Sequence, residues 1–88
     1  MNIKYEQSFL KDIQKIKDKK IKKRIEEVIQ QVKDATKLEE IKELLKIKGA
    51  KNYFRIKIRT YRIGVYKEEN TIIFVRCIQR KDFYKFFP

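Results

Sequence analysis

Arg55, Lys57 and Arg59 recur at every second position, and Arg62 follows three residues later. On an extended strand, residues two apart point the same way and lie roughly 6.5–7 Å apart. That is close to the separation of successive phosphates along one nucleic-acid strand, so cations at this spacing can track a backbone. They can also meet negative charge that builds on a phosphate during reaction. Arginine does this through two parallel hydrogen bonds, lysine only as a point charge. Arg76 can join from a neighbouring strand, and Arg80, Lys81 and Tyr84 follow it. Tyrosine can stack on a base and, less often, transfer a proton. The competing reading is an ordinary solvated sheet face. Like charges side by side repel, however, and no acid between residues 54 and 67 offsets them. Folding alone does not favour such a cluster.

The whole chain is basic, with 24 Lys and Arg against 12 Asp and Glu and a formal charge of +12. A field of this sign attracts polyanions. Nucleic acid is the first candidate, with an acidic protein or an anionic membrane surface as alternatives. Residues 52–88 carry only Glu68, Glu69 and Asp82 as acids, so the binding surface is placed there. The chain has no His, which excludes His triads, His metal sites and His acid–base chemistry. Cys77 is the one cysteine, lies in an apolar run and reads as a buried structural thiol. The acids Glu26, Glu27, Glu39, Glu40 and Glu43 read as scattered surface charges, so no metal site is expected. No Gly-rich phosphate loop is present. No apolar stretch nears the ~20 residues of a membrane span, and no signal peptide opens the chain. The expected location is the cytoplasm.

The elements that must position these groups follow from periodicity. At 88 residues the chain is read as a single domain over 1–88. Asn2–Tyr5 forms a short strand. Ser8 is expected to cap a helix carrying Phe9, Leu10, Ile13 and Ile16. Asp18 begins a second helix with the stripe Ile21, Ile25, Val28, Ile29 and Val32. Residues 8–34 are thus a helical hairpin. Thr36–Lys48 is ambiguous: Leu38, Ile41, Leu44 and Leu45 fit a short helix ended by Gly49. The period then becomes two. Phe54–Arg59 sets Phe54, Ile56 and Ile58 inward and the cations outward. Tyr61–Lys67 sets Ile63 and Val65 inward and Arg62 outward. Thr71–Ile78, nearly all apolar, is a central strand covered on both faces. In the tail, Phe83, Phe86 and Phe87 read as packing anchors. The sum is an α+β domain: N-terminal strand, helical hairpin, then a three-strand antiparallel meander forming one small sheet.

The segments Lys46-Ile47-Lys48-Gly49, Asn52-Tyr53-Phe54-Arg55-Ile56-Lys57, Thr60-Tyr61-Arg62-Ile63, Gln79-Arg80-Lys81-Asp82-Phe83-Tyr84 and Phe87-Pro88 stand in this order along the chain. Together they resemble the RelE/ParE superfamily of bacterial and archaeal toxins. Their order at this length, with the helical hairpin, carries the resemblance across essentially the whole chain. It implies a RelE-type toxin of a type II toxin–antitoxin pair: a ribosome-dependent mRNA endoribonuclease in which the 2′-OH attacks the adjacent phosphate without metal or cofactor. The implied partners are a cognate antitoxin, the ribosome and mRNA. Carried over by motif, Lys57, Arg62, Arg80 and Tyr84 take the catalytic positions. Arg55, Arg59, Arg76, Gln79 and Lys81 are assigned to RNA binding. Relatives often carry His where Gln79 stands, and Gln cannot shuttle a proton near neutral pH. Lys57, flanked by cations that disfavour its charged form, is then the expected proton acceptor. The alternatives are a ParE-like gyrase-inhibiting toxin and a non-catalytic RNA- or ribosome-binding module.

Overall fold

The computed structural model describes all residues, Met1–Pro88. The elements run β1 (Asn2–Tyr5), α1 (Gln7–Lys15), α2 (Lys19–Asp34), a 3-10 turn (Leu38–Glu40), β2 (Leu44–Lys46), β3 (Tyr53–Ile58), β4 (Tyr61–Glu68), β5 (Thr71–Gln79) and α3 (Arg80–Phe86). One five-stranded sheet has the order β1-β5-β4-β3-β2. β1 pairs with β5 in parallel, and the other pairs are antiparallel. The α+β class and the meander stand as read. The sheet has one more strand than expected, because Leu44–Lys46 pairs with Phe54–Ile56 rather than forming a helix.

The α2 stripe is the clearest link from sequence to packing. Ile21, Ile25, Val28 and Val32 are all buried. With Phe9 and Ile16 they cover one sheet face, against Ile56, Ile58, Ile63, Val65, Ile72, Phe74 and Cys77. Asp18 caps α2 by accepting from the backbone N–H groups of Lys20 and Ile21 at 2.8 and 3.4 Å. Ile25 is 3% exposed. Ile25→Ala is therefore expected to cost about 2–5 kcal/mol by chemical denaturation. A loss below about 0.5 kcal/mol, the range of surface changes, would contradict this packing.

Ser8 is not a cap. It lies inside α1, whose N-cap is Glu6. β1 ends opposite Phe74, which leaves the next backbone groups of β5 without a strand partner. α1 supplies them from its side chains. The Ser8 hydroxyl donates to the Val75 carbonyl at 2.6 Å, and the Cys77 N–H donates to Asp12 Oδ2 at 2.9 Å. Asp12 is itself 5% exposed and also accepts from Arg76 Nε and a terminal guanidinium nitrogen at 2.8 and 3.2 Å. Beside it, burial and then the charge of Asp12 push the Cys77 thiol up to about 12. Cys77 is a buried structural residue, as its setting indicated.

The tail forms α3, on the sheet face opposite the helical hairpin. Phe83 and Phe87 are buried there with Ile47, against Tyr53, Val75 and Ile78. Phe86 is exposed instead, with the Arg76 guanidinium 5.6 Å from its ring centroid.

Candidate nucleic-acid interface and active site

Register places the cations. Lys57 stands directly opposite Arg62, and Arg55 opposite Gly64. Directly opposed residues project to the same face. The inward set Ile56, Ile58, Ile63 and Val65 lies under the helical hairpin, so Arg55, Lys57 and Arg62 project toward the α3 side. Arg80 opens α3 immediately after β5, and its N–H donates to the Thr60 carbonyl at 2.7 Å. That bond ties the start of α3 to the β3–β4 hairpin turn. Arg55, Arg80 and Tyr84 are all close enough to act electrostatically on Arg62.

Arg62 departs from its expected outward, solvated position. It is 7% exposed. One terminal nitrogen donates to the carbonyls of Arg59 and Tyr61, at 2.9 Å each. A guanidinium has five donors, so the turn's carbonyls make burial tolerable. Burial, followed by repulsion from Arg55 and Arg80, pushes Arg62 below its ordinary value. The result is a fixed cation, braced from beneath by backbone.

Arg59 does not belong to the strand face. β3 ends at Ile58, and Arg59 takes φ 49° in the hairpin turn, so the period-two reading ran one residue too far. Its role here is its carbonyl, which holds Arg62. Arg76 also leaves the cluster. A register shift falls between Gly64 and Val65 where β4 meets β5, and Arg76 is committed to Asp12 at the α1 edge. Gln79 is exposed at the N-cap of α3, and Lys81 is exposed in its first turn. Lys57 is exposed, and besides its register position opposite Arg62 it borders a hollow of about 250 Å³ on the α2 side, with Arg24, Glu27, Val28, Gln31 and Lys42.

Tyr84 is 62% exposed, and with Arg55 it lines a hollow of about 460 Å³ whose other walls are Leu45, Lys46, Ile47 and Lys48. Neither wall was legible in the sequence. Leu45 is 54% exposed on the edge strand β2, so the hollow joins an apolar wall, an aromatic ring and three cations. Nowhere do three or more His, Cys, Asp or Glu side chains gather in a way that would hold a metal. No helix is long and apolar enough to cross a membrane.

Gly64 sets the seat of α3. A Cβ built there would meet the Phe87 ring at 2.7 Å. The absence of a side chain lets the C-terminal ring lie directly on β4. Gly64→Ala is expected to cost about 1–3 kcal/mol, as overpacking does, and to speed protease cleavage within α3. Unchanged stability and protection would show that Phe87 is not seated there.

Residues 3–84 match the model of a family described as the ParE toxin of the parDE type II toxin–antitoxin system. Toxin RelE3 of Methanocaldococcus jannaschii is 37% identical over 89 residues, covering all of both chains. The toxin in a crystal structure of a RelB–RelE antitoxin–toxin complex from Methanococcus jannaschii is 36% identical. It superposes with a TM-score of 0.82 over 97% of this chain and 99% of that one. The isolated E. coli RelE toxin shares the fold, with a TM-score of 0.65 at 12% identity, over 89% and 82% of the respective chains.

Proposed function

Because the chain belongs to the RelE/ParE superfamily and is a RelE-type toxin of a type II toxin–antitoxin system, we propose that it cleaves mRNA on the ribosome in the cytoplasm. The observation that carries this reading is the convergence of Arg55, Arg62 and Arg80 beside the exposed Tyr84, with Lys57 opposite Arg62 in the strand register. In-line attack by a 2′-OH builds negative charge on the phosphate oxygens. Arg62, held by the turn's carbonyls, meets that charge with little reorganisation, and Arg80, whose backbone is tied to Thr60, adds a second guanidinium from the start of α3. Tyr84 orients a flanking base. Lys57 adds charge, and Arg55 holds the neighbouring phosphate, with Gln79 and Lys81 on the flank. Arg59 and Arg76, removed from the face by the turn and by Asp12, act on RNA only as part of the general field.

A cognate antitoxin is the proposed protein partner. A segment bearing acids or apolar anchors over Arg55, Lys57 and Tyr84 would block the site directly. The family description as a ParE toxin favours a second reading, inhibition of gyrase by protein binding. The test is a programmed ribosome incubated with the purified chain and assayed by primer extension, alongside a gyrase supercoiling assay. A new, ribosome-dependent stop in the message supports the first reading. An intact message with inhibited supercoiling supports the second.

A further inference from the structure

α3 carries Arg80 and Tyr84, yet it has seven residues, and its N-cap Gln79 makes no side-chain hydrogen bond. A helix this short is marginal on its own in water, so tertiary contacts must fix it. Phe83 and Phe87 are buried beneath it on the sheet. Two anchors on the underside set the height of α3 and leave it free to rock about its long axis. The bond from the Arg80 N–H to Thr60 holds the first residue only.

The two flanks of α3 face different neighbours. Tyr84 lines the cationic hollow on the β2 side with Arg55 and Leu45. Asp82 and Phe86 line a separate hollow of about 480 Å³ on the α1 side, with Asp12, Ile16 and Arg76. At 3.6 residues per turn, Tyr84 and Phe86 stand about 200° apart around the axis, so rocking that lowers one flank lifts the other. In the second hollow the Arg76 guanidinium lies 5.6 Å from the Phe86 ring centroid. Arg76 cannot follow a moving ring. Asp12, buried in α1, holds its Nε and a terminal nitrogen at 2.8 and 3.2 Å, and Asp12 is fixed in turn by the Cys77 N–H. Phe86 is 57% exposed, so burial of apolar area is not what places it. Contact with a pinned cation is.

From this arrangement we infer that Arg76 and Phe86 are positioning residues for the cleavage reaction. They stop α3 from rocking, and so hold Tyr84 at the cationic hollow on the opposite flank. The assignment rests on the ribonuclease reading above. It gives Arg76 a part in the reaction without contact to RNA.

The experiment is single-turnover cleavage of a programmed ribosome by the parent chain, Phe86→Leu, Phe86→Trp, Tyr84→Ala and the double variant Tyr84→Ala with Phe86→Leu. Amide hydrogen exchange is followed in the free chains. Phe86→Leu keeps an apolar side chain and removes the ring. It is expected to slow cleavage roughly 2–5-fold, the factor that an exposed cation–π contact supplies. Exchange within α3 should quicken by a similar factor while β3–β5 stay parental. Tryptophan offers the better ring face, so Phe86→Trp should match or exceed the parent in both measurements. In the Tyr84→Ala background, Phe86→Leu should have no further effect on cleavage, because the contact acts through Tyr84. Parental cleavage by Phe86→Leu, or parental exchange in its α3, overturns the inference. So does a loss in Phe86→Trp as large as in Phe86→Leu, or a Phe86→Leu effect undiminished without Tyr84. A parent chain that leaves the message intact overturns the ribonuclease reading and the role in cleavage with it, while faster α3 exchange in Phe86→Leu would still uphold the restraint on α3.

Discussion

Arg80→Ala is expected to slow single-turnover mRNA cleavage by roughly 10²–10³-fold, the usual loss when one preorganised electrostatic donor is removed. Stability should change by less than about 0.5 kcal/mol, because the Arg80 side chain is exposed. Its backbone N–H, which holds the hairpin turn, is untouched by the substitution. Arg62→Ala should slow cleavage as strongly and also destabilise the fold. It leaves the carbonyls of Arg59 and Tyr61 without their donor, at a cost of about 1–3 kcal/mol. Ribosome pelleting should remain near normal for both, since the other cations supply most of the attraction to RNA. Near-parental cleavage by both variants would contradict the site. Arg80 therefore separates chemistry from folding more cleanly than Arg62 does.

The largest expected effect on stability lies away from that face. Asp12→Ala should cost about 3–5 kcal/mol, the range for removing one partner of a buried ion pair. Asp12 takes two hydrogen bonds from Arg76 and one from the Cys77 N–H. Its loss leaves a buried backbone donor and a partly buried guanidinium unpaired where β1 no longer covers β5. Asp12→Ala with Arg76→Leu should recover part of the loss, because the stranded charge is then gone. Equilibrium denaturation of the two variants measures this. A single-variant loss below about 1 kcal/mol would mean that water replaces Asp12 at little cost.

What the sequence disclosed depended on how strongly each pattern was repeated. Five apolar positions at helical spacing made α2 unambiguous, and alternation made β3 and β4 so. Leu44–Lys46 has only three residues, and its leucines fit a helix equally well with Leu38 and Ile41. The decision came from pairing with β3, a long-range fact. The turn at Arg59–Thr60 has neither Gly nor Asn to announce it, so the strand was drawn through Arg59. Arg76 was read from strand alternation, which the register shift near Gly64 interrupts. One signal was present and not taken up. Asp12 lies between Phe9 and Ile16 in the buried stripe of α1, where an acid needs a partner. Of the three tail phenylalanines read as packing anchors, Phe83 and Phe87 are buried and Phe86 is exposed.

The central claim is that this cationic face promotes attack by a 2′-OH on the neighbouring phosphate. Its most direct test is an mRNA carrying a single 2′-deoxy nucleotide at the mapped cleavage position, presented on the ribosome. The all-ribose message should be cut to a 2′,3′-cyclic phosphate and a 5′-hydroxyl, and the substituted message should stay intact at that position. Cleavage of the 2′-deoxy message at the same bond would contradict the mechanism.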